Sequence, residues 1–466
     1  MPVTIARWGT ALAVAALTVG CGTNHAVDHD PGNIDLPPGS LPESSPPDGG
    51  APPPDGSPPD NGPPTSPPPA PACAVGGVTG AALFSLDVGR GAFDLPGDVL
   101  RGDLAVDAAG NTFLALEGTA GFALTKYAPD GKLVFQKPFG EVVAVDAAGN
   151  AYVAASFSAA LDLGLGTMMP SGDMDVFVAK LAPDGTLLFA RPLGVCPDSL
   201  RSIAVACDGR IAVSGAEMGT LVLDAKGALL FSRPFDGDLA FDSLGNLIVG
   251  GQFAGALDLG GGARMTTGGD LDGFVVKLDA SGRVMWSDQI GDADLPVTLR
   301  PSSVVVSTPT RQRVSAVAVG PDDEVVIAGQ FDDDAKLFGT DFVANLVDIA
   351  SVSLQSGAFV VALDAAGAVK LRSVRNGFDG YRDVAVAANG DIVVTGKELG
   401  NASPPFRTAL LTKLDPAGAA LFGTDPGTGA GHAVAVDTCG DVLWLASIRE
   451  GLPGTPPEAH LFKLAP

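Results

Sequence analysis

The sequence predicts an all-β fold in which seven four-stranded sheets close into a ring. Three observations carry this expectation. A strand–turn–strand unit recurs seven times over residues 103–446. A second hairpin follows it in six copies, and the seventh breaks off at residues 460–466. The turn and outer strand missing there stand at the other end of the domain, in residues 77–89.

The first unit reads DLAVDAAGNTFLAL (103–116), VVAVDAAGNAYVAA (142–155), SIAVACDGRIAVSG (202–215) and DLAFDSLGNLIVGG (238–251). It returns as AVAVGPDDEVVIAG (316–329), DVAVAANGDIVVTG (383–396) and AVAVDTCGDVLWLA (433–446). Short apolar runs bounded by turn residues read as buried strands. Each copy centres on an alanine (Ala105, Ala144, Ala204, Ala240, Ala318, Ala385, Ala435), which implies crowding by neighbouring copies at that level. The turn glycine allows the positive φ of a tight hairpin; the fifth copy has Pro321-Asp322-Asp323 instead. Asp107, Asp146, Asp242 and Asp437 open these turns, where an aspartate bonds the backbone two residues on.

The second unit reads ALTKYAPDGKLVF (123–135), VFVAKLAPDGTLLF (176–189), GTLVLDAKGALLF (219–231), GFVVKLDASGRVMW (273–286), AFVVALDAAGAVKL (358–371) and ALLTKLDPAGAALF (409–422). Four residues after each turn glycine stands a large apolar residue: Phe135, Phe189, Phe231, Trp286, Leu371 and Phe422. In residues 77–89, Gly80 and Phe84 repeat this spacing, so strand 81–86 is expected to pair with residues 460–464 and close the ring. Closure removes the exposed edges that invite aggregation. The fold class is therefore a seven-bladed β-propeller over residues 73–466, closed by an N-terminal strand. The patterns AVDAAGNAYV…DVFVAKLAPDGTLLFARPLG and GQFAGALDLGG…GGDLDGFVVKLDASGRVMWSDQIG resemble the SBBP repeats of bacterial surface and secreted proteins. That resemblance implies the propeller and supplies no catalytic residues.

Residues 1–21 read as an export signal. Arg7 gives the positive start, and the apolar run Trp8 to Gly20 is too short to span a bilayer, which takes about 20 residues. The junction Gly20-Cys21 resembles a bacterial lipobox, with Thr18 where a branched aliphatic is usual. The resemblance implies lipidation of Cys21 after cleavage, and Gly22 behind it implies sorting to the outer membrane. Residues 22–72 hold no lysine or arginine, and 17 prolines fall within 31–71. This segment lacks the apolar content for a core and reads as a disordered spacer. The chain is thus expected to be exported and lipid-anchored to the cell envelope.

The net charge of −25 disfavours nucleic acid as a partner. Long loops between second and third strands (156–175, 252–272, 330–357, 397–408, 447–459) mark one face as the candidate surface for a protein or glycan. Acids gather there: Asp173, Asp175, Asp270, Asp272, Asp332, Asp333, Asp334 and Asp341. Oxygen clusters suit Ca²⁺, yet none has EF-hand spacing, and no cofactor is expected. No GxSxG, HExxH or phosphate-binding glycine loop occurs. The glycines Gly427, Gly429 and Gly431 are read as a loop before a strand, and His432 and His460 as surface residues. Cys73 and Cys439 fall near the same end of blade seven and are expected to bridge. Cys196 and Cys207 are a weaker pair, because an extended strand lies between them. The function expected is a non-enzymatic binding or scaffold module. The alternative is an exported propeller lyase or hydrolase acting on a polysaccharide or lactone, for which inward acids beside His432 at the channel mouth would speak.

Overall fold

The computed structural model describes residues 80–89, 101–118, 121–194, 199–266, 271–292, 311–332, 334–343, 346–349, 352–376, 378–399, 407–424, 426–449 and 457–466. All lie in the compact unit 69–466. The signal segment, the spacer, Cys21, Cys73, Cys196, Asp270 and Asp333 lie outside the described residues.

The chain is a seven-bladed β-propeller. The innermost strands, in ring order, are Gly102–Val106, Val142–Val145, Leu200–Val205, Asp238–Phe241, Gln312–Val319, Phe378–Val386 and Gly429–Val436. Each opens a four-stranded antiparallel sheet; blade five adds a short strand, Leu346–Ile349. Every inner strand packs against the next, and the last against the first. The seventh sheet is completed from the other end of the domain: Ala82–Gly89 pairs with Glu458–Leu464, with Phe84 opposite Lys463 and Leu86 opposite Leu461. The Gly80 N–H donates to Ala465 O at 3.0 Å and the Ala465 N–H to Ala81 O at 2.8 Å, which stitches the junction where other blades have a covalent turn.

Among the described residues there is no single central core. Apolar side chains form seven buried clusters among the described residues, one at each blade–blade interface. Both faces of every blade are therefore covered, and middle strands such as Ile211–Gly215 and Val442–Ile448 are buried throughout. This explains why they read as unbroken apolar runs rather than alternating ones. The closing interface is built like the others: Leu104 and Leu114 of blade one meet Leu443, Leu445 and Leu461 of blade seven.

The large residue four places after each turn glycine has a defined seat, the turn glycine of the next blade. A Cβ on Gly185 would lie 2.9 Å from the Phe135 ring, on Gly282 2.8 Å from Phe231, on Gly367 3.0 Å from Trp286, and on Gly80 3.0 Å from Phe422. Leu371 faces Gly418 in the same way, Gly227 is covered by Arg191 at 3.0 Å with Phe189 at 3.5 Å, and Phe84 and Leu86 cover Gly131. All seven interfaces are latched, including the two made by the N-terminal strand. Gly282→Ala places a side chain at φ +82° and against Phe231. We expect a loss of about 2–4 kcal/mol, from left-handed strain plus overpacking. Gly255 has φ +74° and open space around it, so Gly255→Ala carries the strain alone, about 1–2 kcal/mol. Equal losses in urea denaturation would remove the latch.

The turn aspartates do what their position implies. Asp107 accepts from the Ala109 and Asn111 N–H groups, Asp146 from Ala148 and Asn150, Asp242 from Leu244 and Asn246, and Asp437 from Cys439 and Asp441. Each is also paired with a lysine of the third strand: Lys126 at 3.5 Å, Lys180 at 3.4 Å, Lys277 at 2.9 Å and Lys463 at 2.8 Å. In the fifth copy Asp323 replaces the glycine and takes φ +57°.

Cys207 is a free, exposed thiol in the turn of blade three. The expected Cys196–Cys207 bridge is therefore not formed. The extended strand Leu200–Val205 separates the two positions. At about 3.3 Å per residue it exceeds the roughly 7 Å that a disulfide spans.

Candidate functional site

An inner strand is the free edge of its sheet, so one row of its N–H groups faces the channel without a ladder partner. Such groups need acceptors. Three carboxylates supply them, and each serves two blades. Asp103 accepts from its own Leu104 N–H at 2.8 Å and from Val143 of blade two at 2.8 Å. Asp238 accepts from Val317 of blade five at 2.8 Å and from Leu239. Asp383 accepts from its own Val384 at 2.8 Å and from Val434 of blade seven at 2.7 Å. Ser202 Oγ takes the equivalent N–H of Leu239 at 3.2 Å. These residues share one register position, two before the repeated alanine; its other occupants are Val142, Ala316 and Ala433.

Their upper ends line a cavity of about 390 Å³ at the mouth of the channel. Four arginines reach it (Arg101, Arg201, Arg313, Arg382), with the acids Asp103, Glu141, Asp236, Asp238 and Asp383, and with His432. The three strand carboxylates touch the channel space but have protein on their other sides. Burial pushes Asp103 up to about 7, against the opposing effect of its two N–H bonds. Burial likewise raises Asp238. Asp383 is raised well above the usual carboxylate range, first by burial and then by the charge of Asp238. Arg201 is ion-paired with Asp236, and Glu141 accepts from the Ser156 N–H at 2.6 Å.

His432 is buried, not the surface residue expected of an isolated histidine before a strand. Strand Gly429–Val436 begins before it, so Gly429 and Gly431 are strand residues rather than loop. They are glycine because a Cβ would strike the Ser447 carbonyl and Thr395 Oγ1 respectively. Arg382 Nη1 lies 2.9 Å from His432 Nδ1, and His432 Nε2 lies 2.7 Å from Ser447 Oγ. A guanidinium only donates, so Nδ1 accepts and the proton sits on Nε2, donated to Ser447. Burial, then the charges of Arg382 and Lys397, hold the imidazole well below its ordinary value. His432 is thus neutral at physiological pH. A depressed folded value contributes stability above the unfolded value of about 6.5 that is lost as pH falls. The stability advantage of the native chain over His432→Gln should therefore shrink as pH falls from about 6.5 towards 5; a pH-independent difference would contradict the neutral assignment. Asp103 works in the opposite sense: its raised value favours the folded state most below pH of about 4, an advantage lost as pH rises through 7.

Among the described residues of the loops expected to carry the ligand surface, Gln252, near the end of strand Leu247–Ala254, lines this cavity and the others do not. The loops of blades two, four and five contain small hairpins, Leu161–Asp162 with Thr167–Met168, Ala256–Asp258 with Ala263–Met265, and Asp334–Leu337 with Thr340–Val343. The second and third fold against outer strands. Gln289 Nε2 donates to Met265 O at 2.9 Å, Arg264 to Ser287 O at 3.0 Å, and Arg372 to Phe338 O at 2.6 Å. Met168, Leu259 and Leu337 are buried by these hairpins. Of the loop acids, Asp175, Asp272 and Asp334 are buried at strand starts. Asp175 accepts from Ser171 and Val176, and Asp272 from Gln289. Asp332 is half-buried, while Asp173 and Asp341 are exposed. Among the described residues, no three His, Cys, Asp or Glu side chains converge to hold a metal ion.

No protein-family model matches the chain, and no curated protein matches it. Among solved structures, the crystal structure of BamB from Moraxella catarrhalis is 13% identical, with 82% of this chain and 97% of that chain covered at a TM-score of 0.41. The structure of the Dos1 propeller is 10% identical, with 82% and 94% covered at a TM-score of 0.42. At such identities a likeness extends to the fold alone.

Proposed function

We propose that the protein is a membrane-tethered, extracytoplasmic β-propeller that serves as a non-enzymatic binding or scaffold module, with the channel mouth as its ligand seat. The observation that carries this is the employment of the channel acids. Asp103, Asp238 and Asp383 are spent on edge N–H groups of paired blades, and His432 is fixed between Arg382 and Ser447. Groups so engaged build a wall and are poorly placed to move protons. The cavity lies within the size range of small-ligand sites, about 300–1,000 Å³.

The tether rests on the Gly20-Cys21 junction and on the proline-rich spacer. Two acyl signals give stable attachment where a single chain is marginal. Cys21→Ser should leave the precursor uncleaved and unlabelled by radioactive fatty acid; equal labelling of both forms would remove the anchor. The resemblance to SBBP repeats supports the surface setting. A Cys73–Cys439 bridge at ring closure belongs to the same proposal, and non-reducing peptide mapping that pairs Cys439 with a cysteine other than Cys73 would refute it. A second reading has one observation in its favour. Three inward acids and His432 line one cavity, the arrangement expected of a lyase or hydrolase acting on a polysaccharide or lactone.

A further inference from the structure

Arg313 sets this cavity apart from a neutral wall. It projects from the inner strand of blade five beside Arg201 of blade three, and both line the mouth. The carboxylates nearest to it are already engaged: Asp236 pairs with Arg201, and Asp238 accepts the Val317 and Leu239 N–H groups. Among the described residues no hydrogen bond or ion pair reaches the Arg313 guanidinium. A guanidinium carries five donors in a planar fork and does not shed its proton in proteins. Leaving one half-buried and unmatched is costly, and a like charge alongside adds to that cost. Loss of hydration, and then the charge of Arg201, push Arg313 down from its ordinary value. The whole chain has only 28 lysines and arginines at a net charge of −25, yet four arginines meet at this one mouth.

We propose that the channel mouth binds an oxyanion, a carboxylate or phosphate group of a small molecule, received by the Arg313 fork with Arg201 beside it. This rests on the binding-module reading and names the ligand chemistry of its seat. Guanidinium–oxyanion bonds are charge-assisted and bidentate. The cavity volume of about 390 Å³ admits a ligand of sugar-acid size. The adjoining Asp238 opposes a bound anion less than an ordinary aspartate would, because burial favours its protonated form.

The test is a titration of the domain 73–466 with succinate, glucuronate, inorganic phosphate and, as a neutral control, glucose. It is followed through the arginine side-chain N–H resonances by NMR, which reads affinities into the millimolar range. At least one anion should saturate the Arg313 signal and be weakened by salt, and which one does so separates carboxylate from phosphate sources. Glucose should have no effect. Arg313→Gln should lower the affinity about tenfold or more, and Arg313→Lys, which keeps the charge without the fork, should fall between. Absence of saturation by every anion, or equal binding to Arg313→Gln, overturns the oxyanion seat. If a glycan or envelope protein binds the domain and Arg313→Gln leaves that binding unchanged, the seat falls while the binding-module reading stands. If nothing binds in either experiment, both fall.

Discussion

Deleting residues 74–90 should turn a closed, monomeric domain into a destabilised and aggregation-prone one. The deletion removes the outer strand of blade seven and leaves Glu458–Leu464 as an unpaired edge, a template for pairing between chains. It also opens two latches at once. Phe422 loses the turn around Gly80, and Gly131 loses the cover of Phe84 and Leu86. Losing the partly buried Phe84 and Leu86 side chains alone costs about 2–4 kcal/mol, before any loss from the seventh interface. Deleting residues 22–70 should leave the melting temperature unchanged, because so proline-rich a sequence offers little apolar surface to bury. Thermal unfolding with size-exclusion chromatography reads both outcomes. A monomeric 74–90 deletion with unaltered melting would show that the ring does not depend on its N-terminal strand.

Asp383→Ala should produce a comparable loss for a single side chain. The carboxylate serves Val384 and Val434, both buried valines in adjacent blades. Each N–H left without an acceptor costs about 1–3 kcal/mol, less where channel water can replace the carboxylate. Burial favours the uncharged carboxyl, so part of the loss is offset at neutral pH, where the variant no longer has to desolvate a charge. A net loss of about 2–4 kcal/mol is expected for Asp383→Ala. Asp103→Ala, which orphans Leu104 and Val143, should behave alike. A trimmed surface carboxylate such as Asp173→Ala should change nothing measurable. Urea denaturation reads these differences directly. Variants of Asp103 and Asp383 as stable as the native chain would mean that the inner strands hold together without them.

Most of the fold was legible because a repeat states its own geometry. The alanine at the centre of each first strand marks where inner strands crowd. The glycine with a large residue four places on marks a latch, even though its partner glycine belongs to the next blade. The site was less legible. Asp103, Asp238 and Asp383 occupy the same register in only three of seven copies, and their purpose depends on an edge N–H in a neighbouring blade that no single repeat displays. The lysine of the third strand recurs in five copies as Lys126, Lys180, Lys277, Lys413 and Lys463. It was a signal for the buried pairs with the turns, including Lys413 with Asp391 at 3.2 Å. For the loop acids the burial of Asp175, Asp272 and Asp334 was not legible, because length and charge say nothing of direction. The alternation in GALDLGGGARM (255–265) makes a hairpin whose Leu259 is buried. Gly429 and Gly431 read as loop because their reason, close approach of Ser447 and Thr395, comes from distant residues.

On the function proposed here, the channel mouth holds a ligand and does not transform it. The most direct test is equilibrium binding of residues 73–466 to a glycan and envelope-protein panel, followed by mass analysis of each bound species after prolonged incubation. The bound species should be recovered chemically unchanged, and its binding should be lost on substitution at the mouth. Product formation that disappears in Asp103→Asn, Asp238→Asn or His432→Gln would contradict that function and establish the channel as an active site.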